Sequence, residues 1–201
     1  MILNEEGRVA LGVALNEATL LGFEVDSARR IGAATFQVLT LPEQGLPPKD
    51  CRLQFLFRPV GRVAASLRNG TWNDFGAEVV PFTIDKVLEV VLSFGGLPIY
   101  GWEFFDVDEA QLAYWGDRFS LDWRSGDSGV SHSIRVFQED GLNRYLDLLV
   151  WFDDFEIRRS DGIVVPFQDF VAGGKRWWDG LNSGDPRTHG VGIIPLKYYN
   201  A

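Results

Sequence analysis

The chain is poor in the residues that most often carry chemistry. Its 201 residues include one cysteine, two histidines and one methionine. The lone cysteine, Cys51, excludes an internal disulfide, and its place after a Pro-rich loop at the start of a strand points to packing rather than nucleophilic attack. Neither His132 nor His189 has a Cys, an Asp or a second His at ligand spacing, so no metal is expected. No Gly-x-Ser-x-Gly elbow is present. The Gly-Gly-Lys at 173–175 lacks the earlier glycine of a phosphate-binding loop, and its helix lies before it rather than after. No cofactor is expected.

Positive charge is also scarce. With 19 Lys and Arg against 28 Asp and Glu, the net charge is −9. An acidic body without a Lys/Arg-rich run repels phosphate backbones and anionic lipid, which excludes nucleic acid and the membrane surface as partners. No apolar stretch approaches the roughly 18 residues a membrane-spanning helix needs. The opening MILNEEGRVALGVAL carries Glu5 and Glu6 where a secretory leader would be basic, so a cytoplasmic location is expected.

What the chain does have is apolar and aromatic: 46% hydrophobic residues, with 15 Phe and 7 Trp. That is enough to bury a core without staples. Alternating or β-rich runs predict strands over 9–15, 20–26, 33–41, 52–58 and 62–68, and again over 118–124, 130–138, 144–151 and 155–159. In 84–92, Ile84, Val87, Leu88, Val91 and Leu92 keep helical phase. A second helix is expected over 166–181, broken at Gly173-Gly174, and a third over 108–115. The fold class expected is α+β: one compact domain over 1–201, an antiparallel body of eight or nine strands with two or three helices.

The tetrapeptide Val-Val-Pro-Phe occurs at 79–82 and at 164–167. Before each copy stands a 19-residue stretch, 52–70 and 144–162, read as two strands ending in Asn-Gly or Asp-Gly; after each comes a helical pattern. Further upstream, 22–27 and 118–123 open each meander. A tandem ββββ-α pseudo-repeat is expected, 8–97 and 117–182, joined by a crossover at 98–116.

Candidate binding residues are Arg52, Arg58, Arg62, Arg68, Trp102, Trp177 and Trp178. With Pro59-Val60-Gly61 as a hairpin loop, Arg58 faces Arg62 and Arg52 faces Arg68, all on one side of the sheet. Like charges directly opposite repel. The four are either solvated, paired with acids of the same chain or of a second copy, or wrapped around an anion. The second half offers Asp147, Asp153, Asp154 and Glu156 as partners. Trp102 shares a strand face with Tyr100 and Phe104, beside Glu103, Asp106, Asp108 and Glu109; Trp177 and Trp178 continue a helix's apolar phase. The expected function is a non-catalytic binding or protein-interaction module, its partner a second copy or another protein. The alternative is an enzyme acting on a sugar or small anionic substrate, with carboxylates in a pocket between the two units.

Overall fold

The structure, a computed structural model, describes residues 3–71, 73–101, 103–107, 115–116, 118–126, 130–141 and 143–190. It is an α+β fold whose chain order begins with helix α1 (Glu5–Leu15), then strands β1 (Thr19–Asp26), β2 (Ile31–Gln37), β3 (Arg52–Asn69) and β4 (Glu78–Val79). A 3₁₀ turn at Ile84–Lys86 leads into helix α2 (Val87–Leu92). Strands β5 (Leu121–Arg124), β6 (His132–Glu139) and β7 (Arg144–Arg159) follow, then helix α3 (Phe167–Ser183) and a 3₁₀ turn at Pro186–Thr188.

All pairings are antiparallel, in the order β1-β2-β3-β7-β6, with β4 and β5 also on β3. Strands β3 and β7 form the axis of the sheet. Their register runs from Leu53↔Arg159 to Asn69↔Arg144, with an irregularity between Val60 and Arg62. On the other edge of β3, its first half pairs with β2 and its second half with β5.

One sheet face carries the main core. Phe55, Phe57, Val63, Ala65 and Leu67 of β3 and Leu146, Leu148, Val150 and Ile157 of β7 alternate onto it, as a pleated strand requires. Leu11 and Leu15 of α1, Val87 and Val91 of α2, and Phe170 of α3 cover that face. The ring of Phe55 stands edge-on to Phe36 and Phe170, each at 5.4 Å, the arrangement that ring quadrupoles favour. The opposite face holds a smaller cluster, Ala64, Leu149 and Trp151 under Trp115.

Several sequence expectations are corrected. Residues 9–15 are not a strand. They belong to α1, which Asn4 starts by accepting the Gly7 N–H on its side-chain oxygen at 2.9 Å, with Glu5 and Glu6 on the favourable end of the helix dipole. Residues 52–68 are not a hairpin. Pro59, after a cis Arg58–Pro59 bond, and Gly61 sit at a bulge inside one continuous strand, where a residue without an N–H is tolerated. Val60 is fully buried and donates its N–H to the Arg30 carbonyl at 2.7 Å, which a loop tip could not do. Strand β7 likewise replaces two expected strands. The described residues therefore contain seven strands where eight or nine were expected, with three helices.

Helix α3 does not break at Gly173-Gly174. A Cβ on Gly174 would lie 2.6 Å from the Ala14 Cα, and one on Gly173 would lie 2.3 Å from the Thr40 hydroxyl. The glycines permit close packing of α3 on α1 and on the 38–41 segment. The expected helix at 108–115 lies outside the described residues except for Trp115. Segments 22–27 and 118–123 do not open equivalent meanders: β1 pairs with β2, whereas β5 pairs with β3 of the other half.

Candidate functional site

The four arginines do lie on one face of the sheet, opposite the core, but along a single strand rather than across a hairpin. Arg52 and Arg68 are sixteen positions apart, roughly 50 Å in an extended strand, so they cannot grip one ligand. Each has a carboxylate in the same chain. Arg52 reaches Asp50 at 2.9 Å, and Arg58 lies 3.5 Å from Glu156. Arg62 binds both oxygens of Asp122, at 2.7 and 3.0 Å, and its guanidinium lies 4.6 Å from the centre of the Trp151 ring.

Arg68 is the buried member. Its side chain is 9% exposed and that of Asp147 is 6% exposed, 3.6 Å away. Arg68 also donates to the Ser66 hydroxyl at 2.8 Å and lies over the Tyr145 ring at 4.6 Å. Asp147 accepts two further bonds from Arg135, at 2.7 and 3.1 Å. Of the four acids that the sequence offers as partners, Asp147 and Glu156 stand 3.6 and 3.5 Å from Arg68 and Arg58, whereas Asp153 accepts the Ser131 N–H; Asp50 and Asp122 are not among the four. Asp50 lies two residues before Arg52, and Asp122 is diagonal to Arg62: its register partner is Ala64, while Arg62 stands opposite Arg124, a pairing of β5 with β3 that only the structure reveals.

The tryptophans divide. Trp177 is buried against Leu41 and Leu181. Trp178 stands edge-on to Trp177 at 4.9 Å and donates its indole N–H to the Val13 carbonyl at 2.9 Å, tying α3 to α1. Trp177 thus seats α3 on the 38–41 segment, and Trp178 ties it to α1. Trp102 lies outside the described residues.

Three concave regions bear on function. The widest, about 720 Å³, is a groove between α1 and α3 lined by Val9, Ala10, Val13, Val171 and Ala172, with Glu5, Glu6 and Gln168 at one end and Lys175 at the other. Val9 is 60% exposed there. The helices run parallel, since Gly7 lies by Phe167 and Ala14 by Gly174. Sequence reading missed this groove because it read 9–15 as a strand. The signal was present: Val9 and Val13, one helical turn apart, lie off the face formed by Leu11 and Leu15.

The other two hollows, about 260 and 480 Å³, meet at Glu103 and Phe104. Beside the first, Asp106 adopts a left-handed backbone (φ 51°). Its carboxylate accepts the Ser133 N–H at 2.8 Å and the His132 Nδ1–H at 3.0 Å, and lies 3.6 Å from Arg8. Asp106 thus bolts α1 to β6. Burial, and then the neighbouring Asp50 charge, push the Cys51 thiol above its ordinary range, so it is a poor nucleophile. Among the described residues, no three His, Cys, Asp or Glu side chains are grouped to hold a metal ion. No helix among them is long and apolar enough to cross a membrane.

In comparisons with known proteins, no family model, no curated protein and no solved structure matches the chain.

Proposed function

We propose that this chain is a non-catalytic protein-interaction module and that the α1–α3 groove is its contact surface. The observation that carries the reading is the groove itself: an open apolar trough between two helices, with charged residues at its ends. Helix faces of this kind receive another helix or an apolar segment. The four arginines, Trp177 and Trp178 all make internal contacts, whereas the groove is apolar surface left open to solvent.

The same reading treats the two halves as copies of one unit. Val79 and Val164, the first residues of the two Val-Val-Pro-Phe stretches, each bridge the end of the long strand before them, at Arg68 and Arg158. Each stretch then enters a helix. Arg52 and Arg144, which begin the long strands, stand 92 positions apart; so do Val60 and Phe152, which are register partners. A pseudo-twofold axis through that pair relates the strands. The copies differ in their helices: α2 has 6 residues and α3 has 17. Leu88 of α2 lies against Gly22 of β1, whereas α3 packs on α1. The groove arises where the copies differ, as expected of a surface added to a fold rather than required by it.

A photo-crosslinking amino acid at Val9 of the full chain, expressed in cells, tests the reading. Light should produce a discrete adduct from position 9 and none from exposed Ala28. If position 9 yields no more adduct than position 28, the groove is not a contact surface.

A second reading has its own observation. Glu103 lines both smaller hollows, and Tyr100, Phe137 and Arg135 wall the larger one. Aromatic faces beside a carboxylate and a guanidinium suit a sugar or a small anion. A glycan array, with Glu103→Gln as control, tests it: Glu103-dependent binding supports this reading.

A further inference from the structure

We infer that the occupant of the α1–α3 groove is a second copy of this chain, lying antiparallel across a twofold axis. The inference rests on the interaction-module reading and adds the partner to it.

The charge pattern carries it. The groove's apolar middle is Val9, Ala10, Val13, Val171 and Ala172. Glu5 and Glu6 sit at the N-terminal end of the trough, and Lys175 sits at the other, about 15 Å away at 1.5 Å per helical residue. A twofold axis perpendicular to both helices, near Ala10 and Val171, exchanges these ends. It brings Glu5 and Glu6 of each copy to Lys175 of the other, twice per dimer, while the apolar middles meet. Such self-complementarity is what an isologous interface requires. A parallel arrangement would instead set Glu5 and Glu6 against the same residues of the second copy. Lys175 already contacts Asp179 at 2.5 Å on an exposed surface, so its ammonium is held near the groove mouth with donors to share.

The size of the patch sets the strength. Nine residues line the groove, against roughly 20–30 a side in a standard stable interface. The dimer is therefore expected to be weak and favoured by low salt.

Sedimentation equilibrium of the full chain at low and high salt reads this directly. Wild type should dimerise with concentration. Val9→Arg, at an exposed position, should weaken association at least tenfold without lowering Tm. Lys175→Glu alone and the double variant Glu5→Lys, Glu6→Lys alone should each weaken it, because each homodimer now apposes like charges. Mixing these two variants should restore a heterodimer, since Glu5 and Glu6 of one then face Lys175 of the other, and Glu at 175 faces Lys at 5 and 6. A wild type that stays monomeric to several hundred micromolar overturns self-pairing. So does association that persists in Val9→Arg, or a mixture that fails to pair while circular dichroism shows both variants folded at the temperature of the measurement. The crosslink at position 9 separates the two levels. An adduct twice the chain's mass agrees with self-pairing. An adduct with a different polypeptide rejects it and leaves the interaction-module reading standing. No adduct removes both.

Discussion

Asp147→Ala should be among the most damaging single substitutions on the outer face of the sheet. Asp147 is 6% exposed and holds two guanidiniums, Arg135 at 2.7 Å and Arg68 at 3.6 Å. Arg68, itself 9% exposed, keeps the Ser66 hydroxyl and the Tyr145 ring but loses its counter-charge. Removing one partner of a buried pair leaves an unpaired buried charge and costs about 3–5 kcal/mol. At about 2–4 °C of Tm per kcal/mol for a chain of this size, the melting point should fall by roughly 6–20 °C. Arg58→Ala is the internal comparison. Its ion pair with Glu156 spans 3.5 Å and its side chain is 52% exposed, so water already screens it and the loss should stay within about 1 kcal/mol. Calorimetric or circular-dichroism melts at pH 7 measure both. Raising the salt should change Arg58→Ala relative to wild type and barely change Asp147→Ala. Equal destabilisation by the two substitutions would refute the account, because it would mean that burial does not set the cost of losing a partner here.

Other consequences follow from single contacts. Gly174→Ala gains about 1 kcal/mol of helix propensity, yet its Cβ would stand 2.6 Å from the Ala14 Cα; it should lower Tm, and a rise in Tm would refute the close-packing argument. Asn4→Ala removes the cap on the Gly7 N–H and should cost about 1 kcal/mol in a chemical-denaturation titration. Asp122 has its folded pKa lowered: burial alone would raise it, but hydrogen bonds from Arg62 and Arg124 outweigh burial. Its contribution is present above the unfolded value of about 3.9 and is lost as pH falls through the lower folded value. Asp122→Asn should therefore be less stable than wild type at pH 7, and the two stability curves should converge in acid. Asp106→Ala strips the Ser133 N–H, His132 and Arg8 of one shared acceptor, and hydrogen exchange should show α1 and the start of β6 opening together.

The fold was legible where a signal was local. Strand β1, the phase of α2 and the body of α3 follow from periodicity over one or two turns. It was illegible where a local signal had to be weighed against a distant contact. Pro59 and Gly61 read as a turn because most such pairs are turns. Only the burial of Val60 and the β7 partner along the whole of β3 turn the same residues into a bulge. Gly173 and Gly174 read as a helix break because glycine lacks helix propensity. Ala14 and Thr40, more than a hundred residues earlier, supply the reason for them. In each case the residue type was read correctly as a departure from the ordinary. What needed the third dimension was the cause.

The arginines show the same limit from the side of function. Four cations on one face of an acidic protein called for compensation, and each of the four has a carboxylate beside it. Three of those carboxylates also hold a second arginine, Glu156 with Arg158, Asp122 with Arg124 and Asp147 with Arg135, so the row is tied into internal ion pairs rather than standing free. The α1–α3 groove presents the reverse case. Nothing in composition marks Val9, Ala10 and Val13, which differ little from core residues as letters. They become conspicuous only because Leu11, Ala14 and Leu15 already supply the buried face of α1, which leaves a second apolar stripe beside α3. A helix needs one apolar face to join a fold. A second apolar face, open and flanked by charges of opposite sign at its two ends, is the feature that internal stability leaves unexplained, and it is where a binding partner should be sought.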